Sequence, residues 1–183
     1  MKTTNQILFL SFLAIISCSK EINSPTQSND KNIQRIQKKF KIGDINNDRI
    51  NDIATVDYNY DFNNDQVHCK NNFCSIIVRF SNKIPSLEIT NTRSVYVEKT
   101  NDVTKDGANE ILVFSLTNEG FWNIISVYSF QNNGWKELAN TKAFLSEPRQ
   151  FKNRVIQSDG DFFLIGDDWT DDLQERSLKL KLP

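Results

Sequence analysis

Oxygen-bearing side chains occupy alternate positions from residue 44 onward: Asp44, Asn46 and Asp48, followed by Asp52. The frame returns in residues 102–110 as Asp102, Thr104, Asp106 and Glu110. Such spacing suits a backbone that folds tightly back on itself, so that oxygens at its first, third, fifth and ninth positions can meet. A hard cation such as Ca2+ gathers about six to eight oxygens at roughly 2.3–2.6 Å, and a loop of this kind supplies them. The carbonyls of Ile50 and Ala108, at the seventh positions, would complete the two shells. Each loop runs directly into a strand-like segment, Ile53-Ala54-Thr55-Val56 in one case and Ile111-Leu112-Val113-Phe114 in the other. Two copies of both frame and context indicate an internal repeat.

The rest of the chain reads as short strands separated by turn signals. Alternating or β-rich runs fall at residues 40–42, 52–60, 75–80, 87–89, 94–98, 110–116, 122–130, 135–138, 154–157, 162–165 and 177–182. Between them stand Asn63-Asn64-Asp65, Ser81-Asn82-Lys83, Glu119-Gly120, Asn133-Gly134 and Asp159-Gly160. Strands at this spacing indicate an all-β domain. The second loop and the three runs after it form a meander of about 40 residues that begins at the loop. A short helix is expected near residues 33–39, at the end of a polar stretch.

The N-terminus reads as an address. Lys2 precedes an apolar run over residues 7–16, which is shorter than the roughly 20 residues a membrane span needs. It ends in Ile15-Ile16-Ser17-Cys18, which resembles a bacterial lipobox. That resemblance implies a signal peptide over residues 1–17 and lipidation of Cys18. The alternative is an ordinary secretory signal with an incidental cysteine. Ser19 rather than Asp after the cysteine implies the outer membrane for such a lipoprotein. Residues 18–36 are rich in Ser, Asn, Gln and Lys and read as a flexible tether. Residues 37–183 then form the all-β calcium-loop domain. The 165 residues after Cys18 are enough for one sizeable core.

A formal net charge of −1 argues against a nucleic-acid partner. Lys31, Arg35, Lys38, Lys39 and Lys41 do cluster, and a solvated segment beside a membrane accounts for them. Cys69 and Cys74 form an even pair in an exported chain and read as a disulfide across a hairpin turn at residues 70–73. Two further acidic series compete for attention. Asp57, Asn59, Asp61, Asn63 and Asp65 could be a third cation site, but they read better as the polar face of a strand entering a hairpin. Asp167, Asp168, Asp171 and Asp172 around Trp169 read as a solvated loop, with a charged partner surface as the alternative. His68 is the only histidine, and no phosphate loop or nucleophile motif is present. Catalysis is therefore not expected, although paired carboxylates of a hydrolase would leave no sequence motif.

Gly43-Asp44-Ile45-Asn46-Asn47-Asp48 with Asp52, and the second copy, resemble the calcium loops of FG-GAP/VCBS repeats, the blades of integrin-type β-propellers. The resemblance covers two loops and their flanking strands. Arg49 stands where the family has Gly, and Thr104 where it has Asn or Asp. The resemblance implies propeller-like antiparallel meanders, in a chain too short for a full ring. A partial propeller and a compact β-sandwich are the two architectures it leaves. It also implies a lipid-anchored, calcium-stabilised domain in the cell envelope that binds a protein or glycan. An inhibitor or immunity lipoprotein against a cell-wall hydrolase is the alternative, and a cell-envelope hydrolase a third reading.

Overall fold

The computed structural model describes residues 32–64, 66–69, 74–146, 148–169 and 175–183. The expected signal peptide, Cys18, most of the tether, Asp65, the turn at residues 70–73, Asp171 and Asp172 lie outside them. The described residues form antiparallel sheets and no α-helix, with a 3-10 turn at Pro148–Phe151. The first sheet contains β1 (Ile33–Gly43), β2 (Asp52–Asp61), β4 (Ser75–Phe80) and β5 (Leu87–Thr90) in that order. A two-residue β3 (Gln66–Val67) pairs with the far end of β2. The second sheet is a plain meander of β6 (Ser94–Lys99), β7 (Ile111–Leu116), β8 (Trp122–Gln131) and β9 (Gly134–Phe144). The third contains β10 (Val155–Ser158), β11 (Asp161–Trp169) and β12 (Glu175–Lys181).

The sheets meet face to face through two cores. Ala54, Val56, Ile76 and Val78 of the first sheet pack with Val95, Val97, Ile111 and Val113 of the second. From the opposite face of the second sheet, Leu112, Phe114, Ile125 and Val127 pack with Phe162 and Leu164 of the third. Successive residues of a strand point to opposite faces. A strand covered on both sides is therefore apolar throughout, which is why Ile111 to Phe114 form an unbroken apolar run, all buried. In β2, by contrast, Ala54 and Val56 are buried while Ile53 is open to solvent, the alternation of a sheet covered on one side only.

Two contacts tie the layers laterally. Trp135 of β9 lies against Phe80 of β4, and its indole N–H donates to the Pro85 carbonyl at 2.7 Å. Gly166 lets β11 cross β9 closely: a Cβ there would lie 2.7 Å from the Lys142 carbonyl oxygen and nearer still to the Thr141 hydroxyl.

Two expectations are corrected. Residues 33–39 are strand, not helix, so β1 begins at Ile33, within the stretch assigned to the tether. Ile33, Ile36 and Phe40 mimic a helical period because Lys38 breaks the strand alternation. At this sheet edge its ammonium sits 5.8 Å from the Tyr58 ring centroid, on solvent-accessible ground. The second correction concerns the acidic segment at Asp167. Asp167 and Asp168 belong to β11; Asp168 is exposed, but Asp167 is buried in a two-pronged ion pair with Arg154 at 2.8 and 3.0 Å. Its charge serves the interior rather than the surface.

Candidate cation-binding loops

Each loop joins the first two strands of its sheet, β1 to β2 in one case and β6 to β7 in the other. The backbone closes identically around the first carboxylate. Asp44 accepts the N–H groups of Asp48 at 3.1 Å and Arg49 at 2.7 Å. Asp102 accepts those of Asp106 at 3.1 Å and Gly107 at 2.9 Å. Asp48 accepts from Ile50, and Asp106 from Ala108, at 2.8 and 2.9 Å. The last carboxylate of each frame reaches back to the second residue: Asp52 accepts from the Ile45 N–H and Glu110 from that of Val103. Asn47 and Lys105 both have positive φ, as do Arg49 and Gly107. Arg49 thus adopts the left-handed conformation that glycine accepts freely, at a cost of order 1 kcal/mol.

The loops differ at their ninth positions. Asp52 is fully buried, and its other oxygen accepts from the Ser81 hydroxyl and the Asn82 amide, both at 2.8 Å. That carboxylate braces loop against hairpin, and the structure does not bring it together with Asp44 and Asp48. In the second loop Asp102, Asp106 and Glu110 each present an oxygen within 4.8 Å of the others, the one such acidic group among the described residues. Thr104 donates to Glu110 at 2.9 Å. Burial pushes the Glu110 carboxyl above the usual carboxylate range, and the nearby Asp106 charge adds to this. Hydrogen bonds from Val103, Thr104 and Ser129 act in the opposite sense. A buried acid facing two other acids is a place where a cation lowers the electrostatic cost of ionisation. The donor set of the second loop therefore fits a hard divalent ion.

The loops also touch each other. The Asn109 N–H donates to the Asp44 carbonyl at 2.7 Å, and the Asn47 amide to the Asp106 carbonyl at 3.3 Å. Gly107 leaves room for Asn47, whose amide nitrogen would lie 2.8 Å from a Cβ there. Nothing in the spacing of the frame announces this contact, because it arises from sheet stacking.

The other acidic series behaves as a strand face. Asp57 of β2 is held by Arg79 at 2.6 Å and Arg35 at 3.1 Å, and the Gln37 amide hydrogen bond, with these cations, keeps its carboxyl below the usual range. Asp61 accepts from Asn63 and Asn64 in the hairpin turn. Cys69 and Cys74 form a disulfide with their Cα atoms 4.7 Å apart, and His68 beside them is exposed. For so short a closed loop the chain-entropy estimate is about 2 kcal/mol. The Cys69→Ser/Cys74→Ser variant is expected to fold but to unfold at lower urea. Equal midpoints for the two proteins would show that the bridge adds no stability.

The chain matches no protein-family model, no curated protein and no solved structure.

Proposed function

We propose that the protein is a lipid-anchored, calcium-stabilised β-repeat domain of the cell envelope that binds a protein or glycan partner. One observation carries the cation assignment: two loops, at the same place in successive sheets, close on themselves through the same set of hydrogen bonds. In the second loop Asp102, Thr104, Asp106, Glu110 and the Ala108 carbonyl would hold Ca2+. In the first, Asp44, Asn46, Asp48 and the Ile50 carbonyl would do so, with Asp52 bracing the loop from beneath. The bound ion would offset carboxylate repulsion and fix the loop ends to their strands. Three sheets stacked face to face, two of them opening with such a loop, support reading them as blades of a partial propeller. The reading is of a binding domain rather than an enzyme, because the most organised acids close on their own backbone amides.

Calorimetric titration tests the cation assignment. Calcium uptake is expected with Kd on the order of 10⁻⁴–10⁻³ M, the range of extracellular modules, and magnesium should bind more weakly. Asp106→Ala should remove the second site's share. Absence of uptake at millimolar calcium would reduce the loops to ordinary Asx-rich turns. The anchor has its own test. Cys18→Ser should abolish incorporation of labelled fatty acid and release the protein from the membrane fraction, whereas unchanged labelling would refute the lipobox assignment.

A further inference from the structure

Superposing the two loops aligns β1 on β6, β2 on β7 and β4 on β8, residue by residue. At one corner the two sheets differ in kind. The first sheet places Ile36 and Ile76 there, on the face turned toward its neighbour, and Ile76 is fully buried. The second sheet has Ser94 and Asn123 at the matching positions, on the face turned toward the third. Asn123 is only 4% exposed. Its amide nitrogen donates to the Phe121 carbonyl at 3.1 Å, which accounts for one half of the group. The reverse orientation would set two oxygens against each other. The amide oxygen accepts no hydrogen bond among the described residues. No fully buried side-chain oxygen among them lacks a partner, so this one is open. The opening that Asn123 borders is a cleft of about 140 Å³.

The walls of the cleft are aromatic. Tyr96, Phe114 and Phe151 pack ring against ring, with centroids 5.0 to 5.6 Å apart, and Phe121 borders the opening at 56% exposure. An unpaired amide oxygen where the first sheet has isoleucine lowers stability, and packing gives no reason for it. A ligand that donates one hydrogen bond does. The volume is close to the roughly 150 Å³ that holds one benzene ring. A pyranose would carry several hydroxyls into walls with few polar groups and leave most of them unpaired. An indole brings two fused rings and an N–H on its flank. A phenol brings one ring and an O–H at its far tip, where it meets the deep amide oxygen. We propose that this cleft binds a tyrosine side chain presented by a protein partner. The proposal rests on the binding-domain reading in taking the partner to be a protein; the site itself follows from the cleft.

The test uses the full chain carrying Cys18→Ser, so that no attached lipid contributes. The isotope-labelled protein is titrated with N-acetyltyrosinamide, N-acetylphenylalaninamide and methyl N-acetylglucosaminide, and its amide signals are followed by NMR. The tyrosine amide should shift the signals of Asn123 and Phe121. It should bind about tenfold more tightly than the phenylalanine amide, the effect of one hydrogen bond. Asn123→Ile should abolish that preference while the melting temperature holds or rises. The first sheet has isoleucine at this place, and the Phe121 carbonyl still accepts the Leu145 N–H. Phe121→Ala should weaken both amides about fivefold and leave the melt unchanged. Equal affinity for the two amides, a tyrosine preference that survives Asn123→Ile, or a markedly lower melt for that variant would overturn the proposal. Tighter binding of the glycoside through the same signals would also overturn it, while leaving the binding-domain reading in place.

Discussion

Asp167→Ala is expected to lower stability by about 3–5 kcal/mol, the range for removing one partner of a buried ion pair. Arg154 and Asp167 are both buried, and their pairing is bidentate, at 2.8 and 3.0 Å. The guanidinium Nε also donates to the Gln150 carbonyl at 2.7 Å, and Asp167 accepts the Phe144 N–H at 2.9 Å. The pair therefore joins the end of β9, the 3-10 turn and β11. Without the carboxylate, a buried guanidinium loses its counter-ion and the part-buried Phe144 N–H its acceptor. Replacing both partners by apolar residues, as in Arg154→Met/Asp167→Leu, should recover much of the loss, because the penalty belongs to the unpaired charge. Urea unfolding of the three proteins decides the matter. A single variant within about 1 kcal/mol of the parent would place the pair among the weakly contributing surface bridges.

Calcium should raise the melting temperature. Each site contributes RT ln(1 + [L]/Kd), about 1.4 kcal/mol at tenfold excess over Kd, so two sites give about 2.8 kcal/mol. Asp48→Ala and Asp106→Ala should each remove part of the increment, and together nearly all of it. The increment should also shrink as pH falls. The Glu110 carboxyl is raised above its usual 4.5, mainly by burial. A raised acid favours the protonated folded state, so the stability it contributes is present below the unfolded value and is lost as pH rises through the folded one. Metal-free protein thus gains from acidification in this window, while calcium must compete with the proton. A chelator that left the melt unchanged near neutral pH would sink the assignment.

Most strands were legible because turn residues bound alternating runs. Failures came where one strand's surroundings belong to a distant part of the chain. β1 looked helical because a lysine occupies an inward position at an open edge. β9 and β11 run several residues past their β-rich cores because crossing at Gly166 sustains them. Asp167 looked solvated because its partner is thirteen residues away. The loop frames were legible as frames, since their hydrogen bonds are local. The role of Asp52 was not, because Ser81 and Asn82 arrive 29 and 30 residues later.

Each sheet is made from one uninterrupted stretch of chain, and no strand returns to an earlier sheet. A polypeptide emerging N-terminus first during synthesis can therefore complete one layer before the next has arrived, using pairings of short sequence separation, which form quickly. The first layer would emerge with one apolar side bare and awaiting the second. The second, once docked, would expose the side that the third must cover. Pulse-labelled hydrogen exchange during refolding should then show protection spreading from β2 through β7 to β11.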